Sequence, residues 1–243
     1  MQILEPLHLE EISECPYLPG EWKRFESFLA GRVSAGELSG LLAAGWRKFG
    51  LYFFRPECPG CRRCLPVRVP TAEFAPTRSQ RRLLRKNAGL EIAFGPLRPS
   101  ERMFEIYRAH SLLRFGQEAD PEEFLLNFFL PSCPAMQVEI RHAGELVGVG
   151  FLDRGEDCLS SVYFCFDPAH AGRGLGTHSI LKEIEYARFL GLRWYYLGYY
   201  VPGCPKMGYK DHFRPREHFD CTAGIWRRAE GPPESPSPSV PFG

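Results

Sequence analysis

The sequence predicts an α+β protein in which a small cysteine-rich N-terminal module, 1–75, precedes a larger domain, 76–230, with a central mixed, mostly antiparallel sheet. Two observations support this prediction. Cys58, Cys61 and Cys64 crowd together, which in a reducing compartment is typical of a metal or redox module. Beyond residue 88, short strand-like runs alternate with segments of helical periodicity. The tail, 231–243, holds five prolines and three serines, so we expect it to be disordered.

The module before residue 75 is expected to be small and largely irregular. Ser34 and Glu37 have the spacing of a capping box, which predicts a short amphipathic helix that ends near Gly45. The apolar runs 50–55 and 66–70 predict two short strands on either side of the cysteine cluster.

The larger domain has a regular order of predicted elements: a strand, two helices, three antiparallel strands, a glycine-rich turn, a helix and a last strand. The predicted segments are 90–94, 101–115, 121–130, 137–141, 145–153, 159–166, 177–190 and 193–199. This is the order of a GNAT-like (acyl-CoA N-acyltransferase-like) domain, in which an acyl donor lies at a splayed strand and the following helix. Fold analogy alone assigns no chemistry.

Charge and hydropathy limit the partners. The chain has 30 basic and 29 acidic residues, a formal net charge of +1, so a polyanion must be bound by a local patch. No apolar run reaches the roughly 18 residues of a membrane span, so we expect no membrane partner. The N-terminus lacks a basic-then-apolar signal pattern, so we expect a cytoplasmic protein.

The cysteine cluster is a candidate metal site. Structural zinc and iron–sulfur clusters both take four thiolates, and the cluster supplies Cys58, Cys61 and Cys64. Cys15 is the other cysteine of the same module and the natural fourth ligand. Zinc, an iron–sulfur cluster and free thiols all remain open.

Two further segments are candidate binding surfaces. The turn 170–176 precedes a helix, and Gly174 and Gly176 would let backbone amides approach an anion there. Ala171 stands where acetyltransferases have Arg or Gln, which argues against coenzyme A. The basic run 78–87 is either a solvated helix face or a site for phosphates or carboxylates, since arginine binds both with two parallel hydrogen bonds.

The stretch 191–210 packs six tyrosine and tryptophan residues beside Lys206 and Lys210. A buried strand explains 193–199 but not the turn that follows. Flat aromatic faces with lysines between them would suit a base or a sugar-phosphate end.

Several long motifs occur in an order that resembles one family, the aminoacyl-tRNA–protein transferases of the arginyltransferase type. They are Cys15-Pro16-Tyr17-Leu18-Pro19, Gly45-Trp46-Arg47-Lys48-Phe49-Gly50, Tyr52-Phe53-Phe54-Arg55-Pro56, the cysteine cluster, Ser79-Gln80-Arg81-Arg82, Asp167-Pro168, and Tyr195-Tyr196-Leu197-Gly198-Tyr199-Tyr200 with Cys204-Pro205-Lys206-Met207-Gly208-Tyr209-Lys210. The resemblance covers about 15–219. The length and the compact cluster are similar to the short bacterial branch, the aspartate/glutamate leucyltransferases.

The resemblance implies an enzyme with a metal-associated N-terminal module and a GNAT-like domain. It would transfer an amino acid, leucine by branch, from aminoacyl-tRNA to proteins that begin with Asp or Glu, and so mark them for degradation. No cofactor would be required for the transfer, although the cysteines could hold zinc or an iron–sulfur cluster. The alternatives are arginine as the transferred residue, an acetyl-CoA-dependent N-acetyltransferase, and a non-enzymatic tRNA-binding module.

The expected reaction is direct aminolysis of the tRNA ester by the acceptor α-amine. The ester is already activated, so neither an acyl-enzyme nor a strong catalytic base is required, and no base is predicted. The candidate residues follow from the resemblance and from residue chemistry. Arg78, Arg81 and Arg82, beside Ser79 and Gln80, would grip the acidic acceptor; Tyr199, Tyr200 and Lys206 would line the aminoacyl-adenosine end; Gly174, Gly176, Tyr209 and Lys210 would contact substrate.

Overall fold

The computed structural model describes residues 1–229 and Gly231, so the predicted tail lies outside the described residues apart from that glycine. The strands are β1 Gln2–Leu9, β2 Ser13–Glu14, β3 Trp22–Lys23, β4 Phe25–Arg32, β5 Arg47–Phe49, β6 Tyr52–Pro56, β7 Leu65–Pro70, β8 Leu90–Gly95, β9 Ala135–His142, β10 Glu145–Arg154, β11 Cys158–Phe166, β12 Trp194–Tyr200, β13 Glu217–Asp220 and β14 Ile225–Arg228. The α-helices are α1 Ala35–Ala43, α2 Arg78–Lys86, α3 Glu101–Phe115, α4 Pro121–Phe128 and α5 Leu175–Phe189.

The central sheet has eight strands in the order β14-β13-β7-β12-β11-β10-β9-β8. Its neighbours are antiparallel except for β11 and β12, which run parallel with α5 as the crossover between them. The predicted α+β class, the mixed, mostly antiparallel sheet and the GNAT-like element order are therefore confirmed. Strand β7 comes from the cysteine-rich part of the chain and lies between β12 and β13; the domain division at residue 75 stays a prediction.

The expectation of an irregular N-terminal module is wrong. Four strands form a separate antiparallel sheet in the order β1-β4-β6-β5. The long pair of β1 with β4 joins Gln2 to Arg32 and Leu9 to Glu26. Every residue of β1 is exposed, so this strand has no buried face and lacks the alternation that identifies strands in a sequence.

Helix starts follow local signals more closely. The predicted capping box of Ser34 and Glu37 is confirmed at α1. Helix α2 has a second box, in which Thr77 accepts from the Gln80 amide while the Gln80 side chain accepts from the Thr77 amide. Each box satisfies two amides that would otherwise lack partners, so both helices begin at a defined residue.

The central sheet is covered on both faces. Helices α5 and α2 pack on one face over a core that includes Val69, Leu159 and Ile184. Helices α3 and α4 and the N-terminal sheet cover the other face. Burying such side chains contributes about 1.5–3 kcal/mol each. Among the described residues, no helix is both long and apolar enough to cross a membrane.

Candidate active site

The parallel strands β11 and β12 separate partway along their length. Their pairing covers three steps, from Cys158 with Trp194 to Ser160 with Tyr196. On the other side of β12, the register with β7 shifts between Tyr196 and Gly198. Gly198 has a φ of +88°, a conformation that L side chains rarely adopt. The bulge and the separation together open the sheet at its centre, which we call the splay.

A buried carboxyl group lies beneath the splay. Glu183 of α5 is fully buried and accepts hydrogen bonds from the Tyr195 and Ser179 hydroxyls, each at 2.5 Å. Burial raises the pKa of this carboxyl group, and the hydrogen bonds from Ser179, Tyr195 and Ser161 oppose that effect. The network ties the middle of α5 to β12 at the point where the strands part.

Two cations face the splay. Arg47 of β5 donates to the Ser160 hydroxyl at 2.8 Å and to the Ser161 carbonyl. Lys210 lies in the 3₁₀ turn Gly208–His212, which follows β12. Burial lowers the pKa of Lys210 to about 7, helped by the positive charges of Arg47 and Arg114. Each of the two side chains is only 9% exposed.

A cleft of about 440 Å³ lies beside the splay, between α2 and the N-terminus of α5. Its lining residues are Thr77, Ser79, Gln80, Leu83, Thr177, Tyr209, His212, Phe213 and Arg214. Nη2 of Arg214 is buried and has no hydrogen-bond partner among the described residues. The cleft therefore combines an apolar wall, an aromatic ring, hydroxyl groups and one unsatisfied guanidinium donor.

The glycine-rich turn is held by the C-terminal end of α2. Lys86 donates to the Gly172 carbonyl at 2.5 Å, and Asn87 donates to the Arg173 carbonyl at 2.9 Å. Gly174 caps α5 with a φ of +65° and has Leu83 against it, with no side-chain cap. The first amides of α5 therefore point out beside the cleft, where the helix dipole favours an anion.

The four candidate ligand cysteines lie near one another at the far end of β12. Cys15 and Cys64 pack with Leu18, Val201 and Cys204. Burial, and after it the negative charge of the neighbouring cysteines Cys58, Cys15 and Cys61, raises the pKa of Cys64 to about 12. Within residues 1–229, however, no group of three or more His, Cys, Asp or Glu side chains is arranged to hold a metal ion.

Comparison with known proteins places the chain in a family. The models for the N terminus and the C terminus of arginine-tRNA-protein transferase match residues 13–82 and 102–220. The chain belongs to this family. It is 37% identical over 218 residues to an aspartate/glutamate leucyltransferase of Chromobacterium violaceum, covering 88% of this chain and 89% of that one. A Rhizobium meliloti protein of the same name is 36% identical over 257 residues, covering 96% and 95%.

Among solved structures, the chain is similar to FemX, with a TM-score of 0.47 and 10% identity over 81% of this chain and 80% of that one. It is also similar to L-PGS from Bacillus licheniformis, with a TM-score of 0.42 and 13% identity over 57% and 47%.

The structure of this arginine-tRNA-protein transferase family member brings some predicted residues together. Ser79, Gln80 and Tyr209 line the cleft, and Gly174 and Gly176 begin the helix beside it. The remaining α2 candidates, Arg78, Arg81 and Arg82, are exposed. Arg81 donates to the Pro76 carbonyl at 2.5 Å, which fixes its side chain along the helix surface.

The side chains of the proposed aminoacyl-adenosine residues have different surroundings. Tyr199 is buried and donates to the Gly45 carbonyl at 3.1 Å, which links the two sheets. Tyr200 is buried and stacks on His218 with ring centroids 5.4 Å apart. Lys206 is exposed in the turn after β12. The tyrosines thus have packing roles in this structure, whereas Tyr209, at 38% exposed, faces the cleft.

Sequence reasoning missed Arg47, Glu183, Thr177 and Arg214. Arg47 lies in one of the family motifs next to Lys48, and no local pattern in the sequence shows that it is buried. Glu183 interrupts the apolar stripe of α5 between Ile180 and Ile184. Because carboxyl groups are rarely buried without a role, this position in the stripe could have marked Glu183 as a site residue from the sequence.

Proposed function

We propose that this protein transfers leucine from Leu-tRNA to the N-terminal Asp or Glu of acceptor proteins in the cytoplasm, which marks them for degradation. Family membership and the name shared by the curated relatives support this function. The observation that carries it is the cleft between α2 and the N-terminus of α5, a helix end suited to a phosphate. Tyr209 lines this cleft and is followed in the same turn by Lys210, one of the two cations that face the splay.

The cleft suits the 3′ end of a charged tRNA. The exposed arginines of α2 form a positive edge for the phosphate backbone, and the free amides of α5 can receive a terminal phosphate. Tyr209 offers an aromatic face, and base–aromatic stacking contributes about 1–3 kcal/mol. The ester would then lie toward the splay, next to the acceptor amine.

Direct aminolysis fits this arrangement. An N-terminal α-amine has a pKa near 8, so roughly a tenth to a fifth is neutral at pH 7 and deprotonation costs only about 1 kcal/mol. Holding amine and ester together can contribute about 7–11 kcal/mol. Backbone amides of the splay or of the 172–176 turn would stabilise the oxyanion.

The cysteines Cys15, Cys58, Cys61 and Cys64 would form the ligand set of a zinc ion or an iron–sulfur cluster. Their donor chemistry suits both, because each group takes four thiolates and each thiol releases its proton to solvent on binding. The four side chains would have to move closer together to bind it, since they are not arranged around a metal in the described residues. The group would fix the end of β12 and take no part in the transfer. Elemental analysis and an absorption spectrum of the purified protein distinguish zinc, iron–sulfur and free thiols.

One assay tests the proposed function against its alternatives. The protein is incubated with mixed charged tRNAs and with peptides that begin with Asp, Glu, Lys or Ala, and the products are weighed by mass spectrometry. A leucine added to the Asp and Glu peptides is expected. An added arginine would change the donor, an acetyl group from acetyl-CoA would indicate an N-acetyltransferase, and tRNA binding without any product would leave only a binding module.

A single variant tests whether the 3′ end of the charged tRNA binds in the cleft. Arg214→Met should raise the KM for charged tRNA and leave the KM for the peptide unchanged, because Arg214 lines the cleft. Arg154→Met, at the exposed end of β10, is the matched control. An unchanged KM for tRNA in Arg214→Met would remove the tRNA end from this cleft.

A further inference from the structure

Four lysine or arginine side chains are buried in the described part of the chain: Arg47, Lys48, Lys210 and Arg216. Two of them have acidic partners. Lys48 lies 3.1 Å from Asp153, and Arg216 binds Asp211 through both carboxylate oxygens. The other two, Arg47 and Lys210, form no ion pair with any described residue. Buried charges are ordinarily paired, so this exception needs an explanation.

The two unpaired cations converge on one point. A Cβ atom built on Gly198 would lie 3.1 Å from Nζ of Lys210 and 3.6 Å from Nη2 of Arg47. Arg47 is held there by neutral acceptors, the Ser160 hydroxyl and the Ser161 carbonyl. The nearby Asp153 is already bound to Lys48. Two basic side chains thus share the splay, and no carboxylate of the described residues forms an ion pair with either of them.

Keeping two cations together in a buried place costs free energy, and a bound anion would offset that cost. The effect shows in Lys210, whose pKa is lowered by burial and by the Arg47 charge. The occupant must be small, since the point of convergence lies between strands. A carboxylate suits this pair, because a guanidinium and an ammonium group can each donate to one of its two oxygens.

We propose that Arg47 and Lys210 bind the side-chain carboxylate of the acceptor's N-terminal Asp or Glu, an assignment that rests on the proposed function. Only a short carbon chain separates that carboxylate from the α-amine. Binding it at Gly198 therefore holds the amine at the splay, where the ester is attacked. Arg78, Arg81 and Arg82 are then left for the tRNA.

Peptide binding without tRNA tests the assignment. The probes are labelled peptides with a free α-amine that begin with Asp or with the neutral isostere Asn, measured by fluorescence anisotropy. The wild-type protein should bind the Asp peptide more tightly. Lys210→Met should weaken Asp-peptide binding about 10- to 100-fold, the usual effect of losing a hydrogen bond to a charged group, and leave Asn-peptide binding unchanged. Lys182→Met, on the outer side of α5, is the matched control.

In a second variant, Lys210→Glu, the protein's own glutamate takes the place of the acceptor's carboxylate. Lys210→Glu should pair with Arg47, abolish the preference for Asp over Asn, and unfold at no lower temperature than Lys210→Met. Equal binding of the two peptides by the wild type, or a preserved Asp preference in either variant, would overturn the proposal. So would loss of folding in Lys210→Met, because removing an uncompensated buried charge should not destabilise the protein.

These outcomes are separate from those of the proposed function. An Asp preference that depends on Lys210, combined with no transfer from any charged tRNA, would uphold the carboxylate site and reject the transferase. Leucine transfer, combined with an Asp preference that Lys210→Met does not change, would uphold the transferase and reject the carboxylate site.

Discussion

Replacing Tyr195 by Phe removes the hydroxyl group that donates a hydrogen bond to the buried carboxyl group of Glu183. The hydroxyl donates to Glu183 at 2.5 Å, and Glu183 is fully buried. Loss of a hydrogen bond to a charged group costs about 1.5–3 kcal/mol, and the cost lies at the upper end when the acceptor stays buried. For a chain of this length that corresponds to a fall of about 3–12 °C in the unfolding temperature.

Thermal unfolding followed by circular dichroism measures this change. Tyr186→Phe is the control, because Tyr186 lies on the same helix as Glu183 and stacks on Phe94, and its hydroxyl forms no hydrogen bond with a described residue. It should unfold within about 1 °C of the wild type. If Tyr195→Phe unfolded at the wild-type temperature as well, Tyr195 and Glu183 would not be coupled as the structure shows.

The pH dependence of the free energy of unfolding of Glu183→Gln tests the same hydrogen bond through its acceptor. Burial raises the pKa of Glu183 above its ordinary 4.5, so the folded protein binds this proton more tightly than the unfolded chain does. The stability that this group contributes is therefore complete below pH 4.5 and is lost as the pH rises through the folded-state pKa. Glutamine does not titrate, so the variant should gain stability relative to the wild type as the pH rises.

Three further predictions concern other parts of the molecule. Burial lowers the pKa of His178 to about 4, so as the pH falls the unfolded chain binds a proton at this residue before the folded protein does. The free energy of unfolding should therefore fall by about 1–2 kcal/mol between pH 7 and pH 5. In urea unfolding, His178→Leu should lose that part of the pH dependence. Lys48→Met leaves Asp153 buried without its cation and should cost about 3–5 kcal/mol in urea unfolding, whereas adding Asp153→Leu should restore most of it; a double variant as unstable as the single one would contradict this. Arg82→Ala should weaken tRNA binding and lower its salt slope by about one unit, with Arg154→Ala as control, and an unchanged slope would remove α2 from the tRNA surface.

The sequence predicted the elements whose signals are local. Helix α3 was predicted with the bounds that the structure shows, since its apolar residues recur with helical spacing; the structure adds Ser100 as its N-cap. The strands β8 to β12 were predicted within two residues, because each is a short apolar run between turn residues. Strand β1 was missed because its partner β4 is distant in sequence and none of its residues is buried.

The candidate site was predictable only in part for the same reason. Ser79, Gln80 and Tyr209 lie in recognisable motifs, and the cleft joins them. The burial of Arg47 and Lys210 depends on packing between the two sheets, which no spacing along the chain encodes. The tyrosines of β12 illustrate the reverse case: their composition suggested a stacking surface, but strand geometry points Tyr199 into the contact between the sheets.

The N-terminal part of the chain contributes directly to the site. Arg47 reaches the splay from β5, and the Tyr199 hydroxyl bonds the Gly45 carbonyl two residues before it. At the other end of β12, Leu18 packs on Val201 and Cys204, just before the turn that carries Lys210. Strand β7 completes the arrangement as the antiparallel neighbour of β12. A chain that began at residue 76 would lack Arg47, one of the two unpaired cations. It would also lack β7, the neighbour of β12, and β12 leads into the turn that carries Lys210. The splay therefore depends on both parts, and 76–230 alone should not form it, although all the residues that line the cleft lie within that range.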